Sequence, residues 1–376
     1  MSGKWHLGEQ YLKTSGFDVL DHLFVGGAGS YFPSSRLGEK PTWTYRTDEI
    51  GDRAAHFVRE SVAEDKPFFL YWIPTAPHWP YDVLEDDLAQ HRGRYDAGPQ
   101  AVWRARIQRM REMGILKAHW PTPELATLKD ATPGRHARFR TDKQREHTPP
   151  ATYAGWMEAH AALMTAVDRT VGRMTETLKQ TGQLDNTLFL FLSDNGAANE
   201  AQGFGTAWTT VSNAPFRYWK THAYSGGATT CAIAHWPAGM KARPNSINHD
   251  PCHIVDLMPT CLEAAGITRP DIDQQGRTIP APEGVSLIPT LNARPLPKRP
   301  PIGLEHMGNY GLIDGDWKLA AIPLPKDAGH TVELFNIADD RAESNNLAKA
   351  EPQRLERMQT QWNDWAKRVD ATPGRK

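Results

Sequence analysis

The sequence predicts an open, mostly parallel α/β sheet flanked by helices, followed by a small antiparallel α+β subdomain. Three observations lead there. Phe68–Ile73 and Thr187–Leu192 are short continuous apolar runs, the pattern of parallel strands covered on both faces. Longer stretches around them carry apolar residues at three- and four-residue steps, which is helical periodicity. Beyond Pro301 the pattern changes to short runs broken by Asp314-Gly315, a hairpin signal.

The elements follow in order. The chain opens on Met1-Ser2-Gly3-Lys4-Trp5-His6-Leu7-Gly8, a dense motif where first residues are usually the least constrained. Gly26–Ser30 reads as a loop. Thr47–Asp65 is helical, with Ile50, Ala54, Phe57, Val58 and Val62 on one face. Pro67 introduces the first apolar strand, and the prolines of Thr75-Ala76-Pro77-His78-Trp79-Pro80 stop it. Asp82–Pro150 is rich in arginine and punctuated by proline, with one short helix near Val102–Met113, and reads as an insertion. Gly155–Gln180 is the clearest helix: Trp156, Leu163, Met164, Val167, Val171, Met174 and Leu178 fall at three- and four-residue steps, and Gly182 stands where a C-cap belongs.

The second apolar strand runs directly into Ser193-Asp194-Asn195-Gly196, a third covers Cys231–His235, and a helix over Ile254–Ala265 stops at Gly266. Pro280–Pro301 is a proline-rich connector. Tyr310–Ile313 and Asp316–Ile322 form the hairpin, Thr331–Phe335 another strand, and Glu351–Val369 a terminal helix. The expected organisation is a catalytic domain over 1–290, with 82–150 inserted in it, and an antiparallel subdomain over 300–376.

Composition narrows the function. With 43 Lys+Arg against 44 Asp+Glu in 376 residues, the net charge is -1, which argues against a general nucleic-acid binder. Hydrophobic residues make up 39 %, including 13 Trp, enough to build a core. No run approaches the roughly 18 apolar residues of a membrane helix. Cys231, Cys252 and Cys261 are too scattered for a disulfide framework, and read as small apolar packing residues. No signal-peptide pattern is visible in this chain.

Ligands of open α/β sheets bind beyond the carboxyl ends of the strands. Three polar clusters are expected there: Lys4 with His6, then His78, then Asp194 with Asn195. Asp194 and Asn195 are hard oxygen donors on a strand-to-loop turn, suited to Ca²⁺ or Mg²⁺, although Asp-Asn-Gly is also an ordinary turn tripeptide. His78 alone would be a hydrogen-bonded loop histidine, and Lys4 and His6 a fraying terminus. Their combination carries the reading.

That combination resembles the sulfatase family, of the alkaline-phosphatase-like superfold and in the manner of its bacterial arylsulfatase-type members. Gly3-Lys4-Trp5-His6-Leu7-Gly8 is similar to the family's second signature. Pro67–Pro80 resembles the strand and loop that carry its substrate histidine, and Leu192-Ser193-Asp194-Asn195-Gly196 its calcium loop. Asn213–Lys220, Gly226-Gly227 and Ala234-His235-Trp236-Pro237 resemble the segment of its sulfate-binding lysine and the next strand. Asp256-Leu257-Met258-Pro259-Thr260 and Gly315-Asp316-Trp317-Lys318-Leu319 complete the order.

The resemblance implies hydrolysis of a sulfate ester to an alcohol or phenol plus sulfate. Asp194 and Asn195 would ligate Ca²⁺, with Mg²⁺ as the alternative. Lys4 would bridge nucleophile and sulfate, and His6 would release sulfate from the covalent intermediate. His78 and Lys220 would hold the sulfate and assist the leaving oxygen, with Ser30 as another substrate contact. Ser225 stands where an acidic residue is usual, which puts the bonding of that loop in question. The implied partners are a sulfate-ester small molecule or a sulfated polysaccharide, not nucleic acid or membrane. Relatives of this kind are usually periplasmic or secreted.

The family's nucleophile is a formylglycine made from a Cys/Ser-x-Pro-x-Arg motif, and no such motif occurs in this sequence. Tyr31-Phe32-Pro33-Ser34-Ser35-Arg36 approximates it, but places Tyr at the nucleophile position. The expectation is therefore an N-terminally truncated sulfatase whose calcium site lacks donors and whose apolar strands are partly exposed. The alternative is an inactive binding protein for sulfated ligands, with Arg104, Arg106, Arg109, Arg111, Arg135, Arg138 and Arg140 as contacts. Solvated, acid-paired arginines are the plainer account of those side chains. A phosphohydrolase of the same superfold is a third reading, opposed by the Gly-Lys-Trp-His sequence.

Overall fold

The computed structural model describes residues 1–12, 14–25, 30–33, 45–122, 137–144, 146–199, 203–273, 275–324 and 329–371. The expected loop over 26–30 lies outside them except for Ser30. The chain divides into two compact units, one made of Met1–Val102, Thr127–Thr187 and Asn199–Trp208, the other of Trp103–Ala126, Leu188–Ala198 and Thr209–Lys376.

In the first unit, β1 (Ser2–Trp5) leads through α1 (Glu9–Leu12) to β2 (Asp21–Val25), α2 (Arg46–Ala63) and β3 (Trp72–Ile73). β1 lies between β2 and β3, and both pairings are parallel. The register places Gly3 against Ile73, beside an irregularity between Ser2 and Lys4. Gly3 has φ +111°, and a Cβ there would stand 1.9 Å from the Ile73 carbonyl oxygen. A side chain at this position would therefore prevent the strands from meeting. Met1, Trp5 and Leu12 close over the ladder in a small core, joined by Phe17, Leu20 and Ile73.

The strand expected over Phe68–Ile73 is shorter than its apolar run. Phe69, 66 % exposed, and Tyr71 stack on Phe17 with ring centroids 6.1 and 6.2 Å apart. The aromatic residues thus serve a surface stack, and only Trp72 and Ile73 enter the ladder with β1.

The next elements are β4 (Tyr81–Val83), α3 (Glu85–Ala89), α4 (Gly98–Glu112), β5 (Phe139–Thr141) and α5 (Tyr153–Gln180). β4 and β5 pair in parallel, so the two ends of the segment read as an insertion are hydrogen-bonded together. Thr152 caps α5 by accepting from the Gly155 N–H at 3.2 Å. α5 crosses α2 where Gly51 meets Thr170, whose side chain leaves no room for a Cβ. Arg169 bridges the same helix to α3 through Asp48 and Asp87.

The second unit contains β6 (Phe189–Leu192), most of α6 (Thr206–Asn213), α7 (Ser225–Ala228) and β7 (Ala232–His235). β6 and β7 pair antiparallel. β6 is half-buried rather than covered on both faces as its apolar run suggests, and Ile233 of β7 is 60 % exposed. Among the described residues each pairs only with the other. The expected helix over Ile254–Ala265 begins as a single tight turn at Ile254–Asp256 before α8 (Leu257–Ala264). Pro259 falls in the first turn of α8, where its missing N–H has no partner to lose.

After α9 (Ile288–Leu291) the chain forms the antiparallel sheet of β8 (Ile302–His306), β9 (Asn309–Asp314), β10 (Trp317–Pro323) and β11 (His330–Asn336), then α10 (Pro352–Arg368). Asp314 pairs with Trp317 across the two-residue turn, with Gly315 at φ +57°. The sheet has two working faces because side chains alternate. Leu312, Leu319 and Leu334 pack against Met358, Trp362 and Ala366 of α10. Ala320 and Phe335 face Tyr224, and Lys318 shares that face by register.

Two outcomes follow for stability. Gly3→Ala should lower the thermal midpoint far more than Gly16→Ala, since Gly16 also has positive φ but open space around its Cβ position. The control should cost about 1 kcal/mol, and Gly3→Ala several times that. Separately, burial pushes His160 down to about 4, and its Nδ1 has no partner among the described residues. As pH falls from about 6.5, the unfolded chain takes up this proton before the folded one does. Stability should therefore fall between pH 6.5 and 4 by about 3 kcal/mol. Urea denaturation at pH 7 and 4.5 should show a smaller fall in His160→Leu.

Candidate functional site

The residues singled out from the sequence fall into two groups, one in each unit. In the first, Lys4 and His6 stand at the carboxyl end of β1, and the loop with His78 leaves the carboxyl end of β3. The parallel pairing of those strands puts both segments at one end of the ladder, the end where such sheets bind ligands. Lys4 is half-buried and His6 exposed. Trp5 Nε1 donates to the Gly8 carbonyl at 2.8 Å, closing the backbone around His6.

The His78 loop is a tight turn, its His78 N–H donating to the Thr75 carbonyl at 3.0 Å. The Ala76–Pro77 and Trp79–Pro80 bonds on either side are cis. His78 Nδ1 lies 2.8 Å from the Trp79 carbonyl oxygen, which assigns the proton to Nδ1. The buried Tyr31 hydroxyl donates to the His78 carbonyl at 2.7 Å.

Ser30, expected at the substrate, is held by its neighbours. Its hydroxyl donates to Asp82 Oδ2 at 2.8 Å and accepts from Arg140 and from the Phe32 N–H. Asp82 is wholly buried and also meets the Tyr31 N–H and His147 Nε2, at 3.2 and 2.9 Å. The sequence assigns Asp82 and His147 no role and offers Tyr31 only as the first residue of an unsuitable motif. Asp82 lies four residues after His78 in a stretch without periodicity, and its partners are about fifty to sixty-five positions away, so no local pattern marks it.

In the second unit, the Asp194-Asn195 turn follows β6 and is tied to the Lys220 loop by backbone bonds. Gly196 N–H donates to the Gly227 carbonyl, and Lys220 N–H to the Ala197 carbonyl, each at 3.0 Å. Asn213 joins both loops: Oδ1 accepts from Ala197 N–H at 2.8 Å, and Nδ2 donates to the Ala197 and Tyr218 carbonyls. Gly196 and Gly226 let the chains close, since a Cβ on Gly196 would lie 1.8 Å from the Gly226 oxygen. Tyr218 and Thr221, on either side of Lys220, both adopt positive φ, at 61° and 83°. That conformation is disfavoured for side chains of their size, so the surrounding bonds hold the loop in it.

The bonding at Ser225 is complete. Glu343 supplies the acid: its carboxylate accepts from the Ser225 N–H and Oγ, each at 2.8 Å. Lys318 Nζ lies 2.6 Å from Glu343 and 2.9 Å from Ser225 Oγ, with both charged residues buried. Burial lowers the Lys318 pKa, while Glu343 raises it. Asp256 is a second buried anchor, receiving Arg299 through both oxygens at 2.7 and 3.0 Å and capping the His253 and Val285 N–H groups.

Asp194 and Asn195 have the right chemistry for a hard cation, and neither side chain bonds to another described residue. They are two donors where Ca²⁺ takes about 6–8. Among the described residues no three His, Cys, Asp or Glu groups gather as a metal site. Among the described residues the donors of a calcium centre are not complete.

The cysteines depart from expectation. Cys231 and Cys252 are exposed and Cys261 is half-buried, so two of the three do not serve as core packing. The arginines proposed for a polysaccharide are largely engaged. Arg106 donates to the Ser212 carbonyl, Arg111 to Thr122, Arg109 pairs with Glu112, and Arg140 with Asp82. Arg135 lies outside the described residues.

The parallel ladder and the terminal antiparallel sheet are those of the alkaline-phosphatase-like fold. A sulfatase family model matches residues 1–267, and the chain belongs to the sulfatase family. An arylsulfatase of Klebsiella aerogenes is 30 % identical over 315 residues, covering 71 % of this chain and 65 % of its own length. The crystal structure of Ps i-CgsB superposes with TM-score 0.65 at 22 % identity, covering 99 % of this chain and 71 % of that one. BT4656, crystallised with its substrate D-glucosamine-2-N,6-O-disulfate, gives TM-score 0.57 at 19 % identity, over 93 % and 75 %. The chain thus spans about two thirds to three quarters of the length of these relatives.

The buried pair makes a testable outcome. Glu343→Leu should destabilise the second unit by about 3–5 kcal/mol, because Lys318 is left buried without its counter-charge. Lys318→Met combined with Glu343→Leu should recover much of that loss, as read by urea denaturation of the three variants.

Proposed function

We propose that the protein carrying this chain hydrolyses a sulfate ester to an alcohol or phenol and sulfate. The observation that carries the reading is the sulfatase match over residues 1–267, joined to the placement of Lys4, His6 and His78 at the carboxyl ends of two paired parallel strands. In this reading Lys4 neutralises the sulfate oxygens. With its Nδ1 proton on the Trp79 carbonyl, His78 donates from Nε2 to the leaving oxygen when the ring is protonated on both nitrogens, and His6 serves as base for release of sulfate. Preorganised positive charge at a developing oxyanion is commonly the largest catalytic contribution. Asp194 and Asn195 would be two of the ligands of Ca²⁺, or of Mg²⁺. Ser30 acts behind the contact surface, through Asp82 and Arg140.

The substrate class is an aryl sulfate or a sulfated saccharide. The arylsulfatase relative and the sulfated glucosamine of the BT4656 structure support it. The engaged arginines give no support to a separate polysaccharide surface.

The 376-residue chain has no Cys/Ser-x-Pro-x-Arg sequence, so binding is the direct test. 4-Nitrophenyl sulfate should raise the melting temperature of the purified chain more than 4-nitrophenyl phosphate does, without turnover. His78→Ala and Lys4→Ala should each weaken that binding about tenfold or more, the scale of a lost charge-assisted hydrogen bond. An equal response to both esters, or none to the sulfate, would overturn the reading.

A further inference from the structure

We infer that Asp82 and Tyr31 are positioning residues for His78, forming a relay that sets where the His78 loop stands. This rests on the reading that His78 contacts the sulfate group. Asp82 occupies the middle of β4 and has no solvent exposure. Its carboxylate draws together three separate stretches of chain: Ser30 and Tyr31, Arg140 on β5, and His147 beyond it. Its own carbonyl accepts from the Tyr45 hydroxyl at 2.9 Å. Tyr45 in turn stacks on Tyr31, with ring centroids 5.8 Å apart.

The relay ends on the candidate site. Tyr31 is gripped at its backbone by Asp82, through the 3.2 Å bond from its N–H, and reaches the His78 carbonyl with its hydroxyl at 2.7 Å. The first link is buried and the second is partly buried, which limits competition from water. Taking a carboxylate out of water costs several kcal/mol unless it is fully met by charge and hydrogen bonds. Asp82 is met on both oxygens, by Arg140 and His147 as well as by Ser30 and Tyr31. A network satisfied to this degree has one arrangement, and that arrangement holds Tyr31 against the loop. A group that must meet a sulfate oxygen needs such support, because a displacement of about 1 Å can cost on the order of a hundredfold in rate.

A purely structural anchor and a positioning relay predict different couplings. The test uses the full chain with inorganic sulfate as probe, and the variants Tyr31→Phe, Asp82→Asn, His78→Ala and Tyr31→Phe/His78→Ala. Tyr31→Phe removes only the hydroxyl bond, worth about 1 kcal/mol. It should speed amide exchange of residues 75–80 about fivefold, and leave residues 309–336 unchanged. It should weaken sulfate binding by a similar factor in the wild-type background and by none in His78→Ala, since the effect passes through His78. Asp82→Asn should produce larger changes of the same kind wherever it folds.

Equal weakening by Tyr31→Phe in both backgrounds would overturn the relay. So would unchanged exchange of residues 75–80 in folded Tyr31→Phe. If the wild-type chain binds no sulfate at all, the functional reading fails, and the exchange comparison alone then decides whether Tyr31 positions the loop.

Discussion

A carboxylate removed from water has to be met on every side, and in this chain that requirement organises the loops. Asp82, Asp256 and Glu343 are each buried, and each collects donors from segments far apart in sequence. Asp82 gathers residues 30–31, 140 and 147, Asp256 gathers 253, 285 and 299, and Glu343 gathers 225 and 318. The strands and helices would form from their own periodicity. The long connections between them have no periodicity to guide them, and buried charge supplies the direction instead.

Glycine supplies the complementary constraint, closeness. Gly3 lets β1 approach β3, and Gly196 with Gly226 lets the Asp194 loop lie on the Lys220 loop. Lys4 and Asn195 thus each adjoin a glycine whose absent Cβ determines how closely two chains can approach. Short motifs such as Gly-Lys and Asp-Asn-Gly are therefore packing instructions as much as chemical ones, and a motif can be intact in its chemistry and still fail through a single added methyl group.

Much of this was legible in the sequence. The long helix over 153–180 and the terminal hairpin follow from periodicity and turn residues, and the family resemblance follows from ordered motifs. Two things were not legible. The lengths of the apolar strands were overstated, because Phe69 and Tyr71 are as apolar as core residues yet stack at the surface on Phe17. The partners of Ser225 and the role of Asp82 were invisible for a different reason. Glu343 lies 118 positions from Ser225 and His147 lies 65 from Asp82, and a single sequence holds no record of which distant residues meet.

The amide of Asn213 shows how narrow the tolerance of such a junction is. It uses its oxygen as acceptor for one backbone N–H and its nitrogen as donor to two carbonyls. An aspartate has the same shape and no donors when ionised. Slow hydrolysis of this one side chain in an ageing protein would replace two hydrogen bonds with a negative charge facing two carbonyl oxygens. The Asp194 and Lys220 loops would then come apart at their common fastening, with no change in side-chain volume and a change in mass of about one dalton.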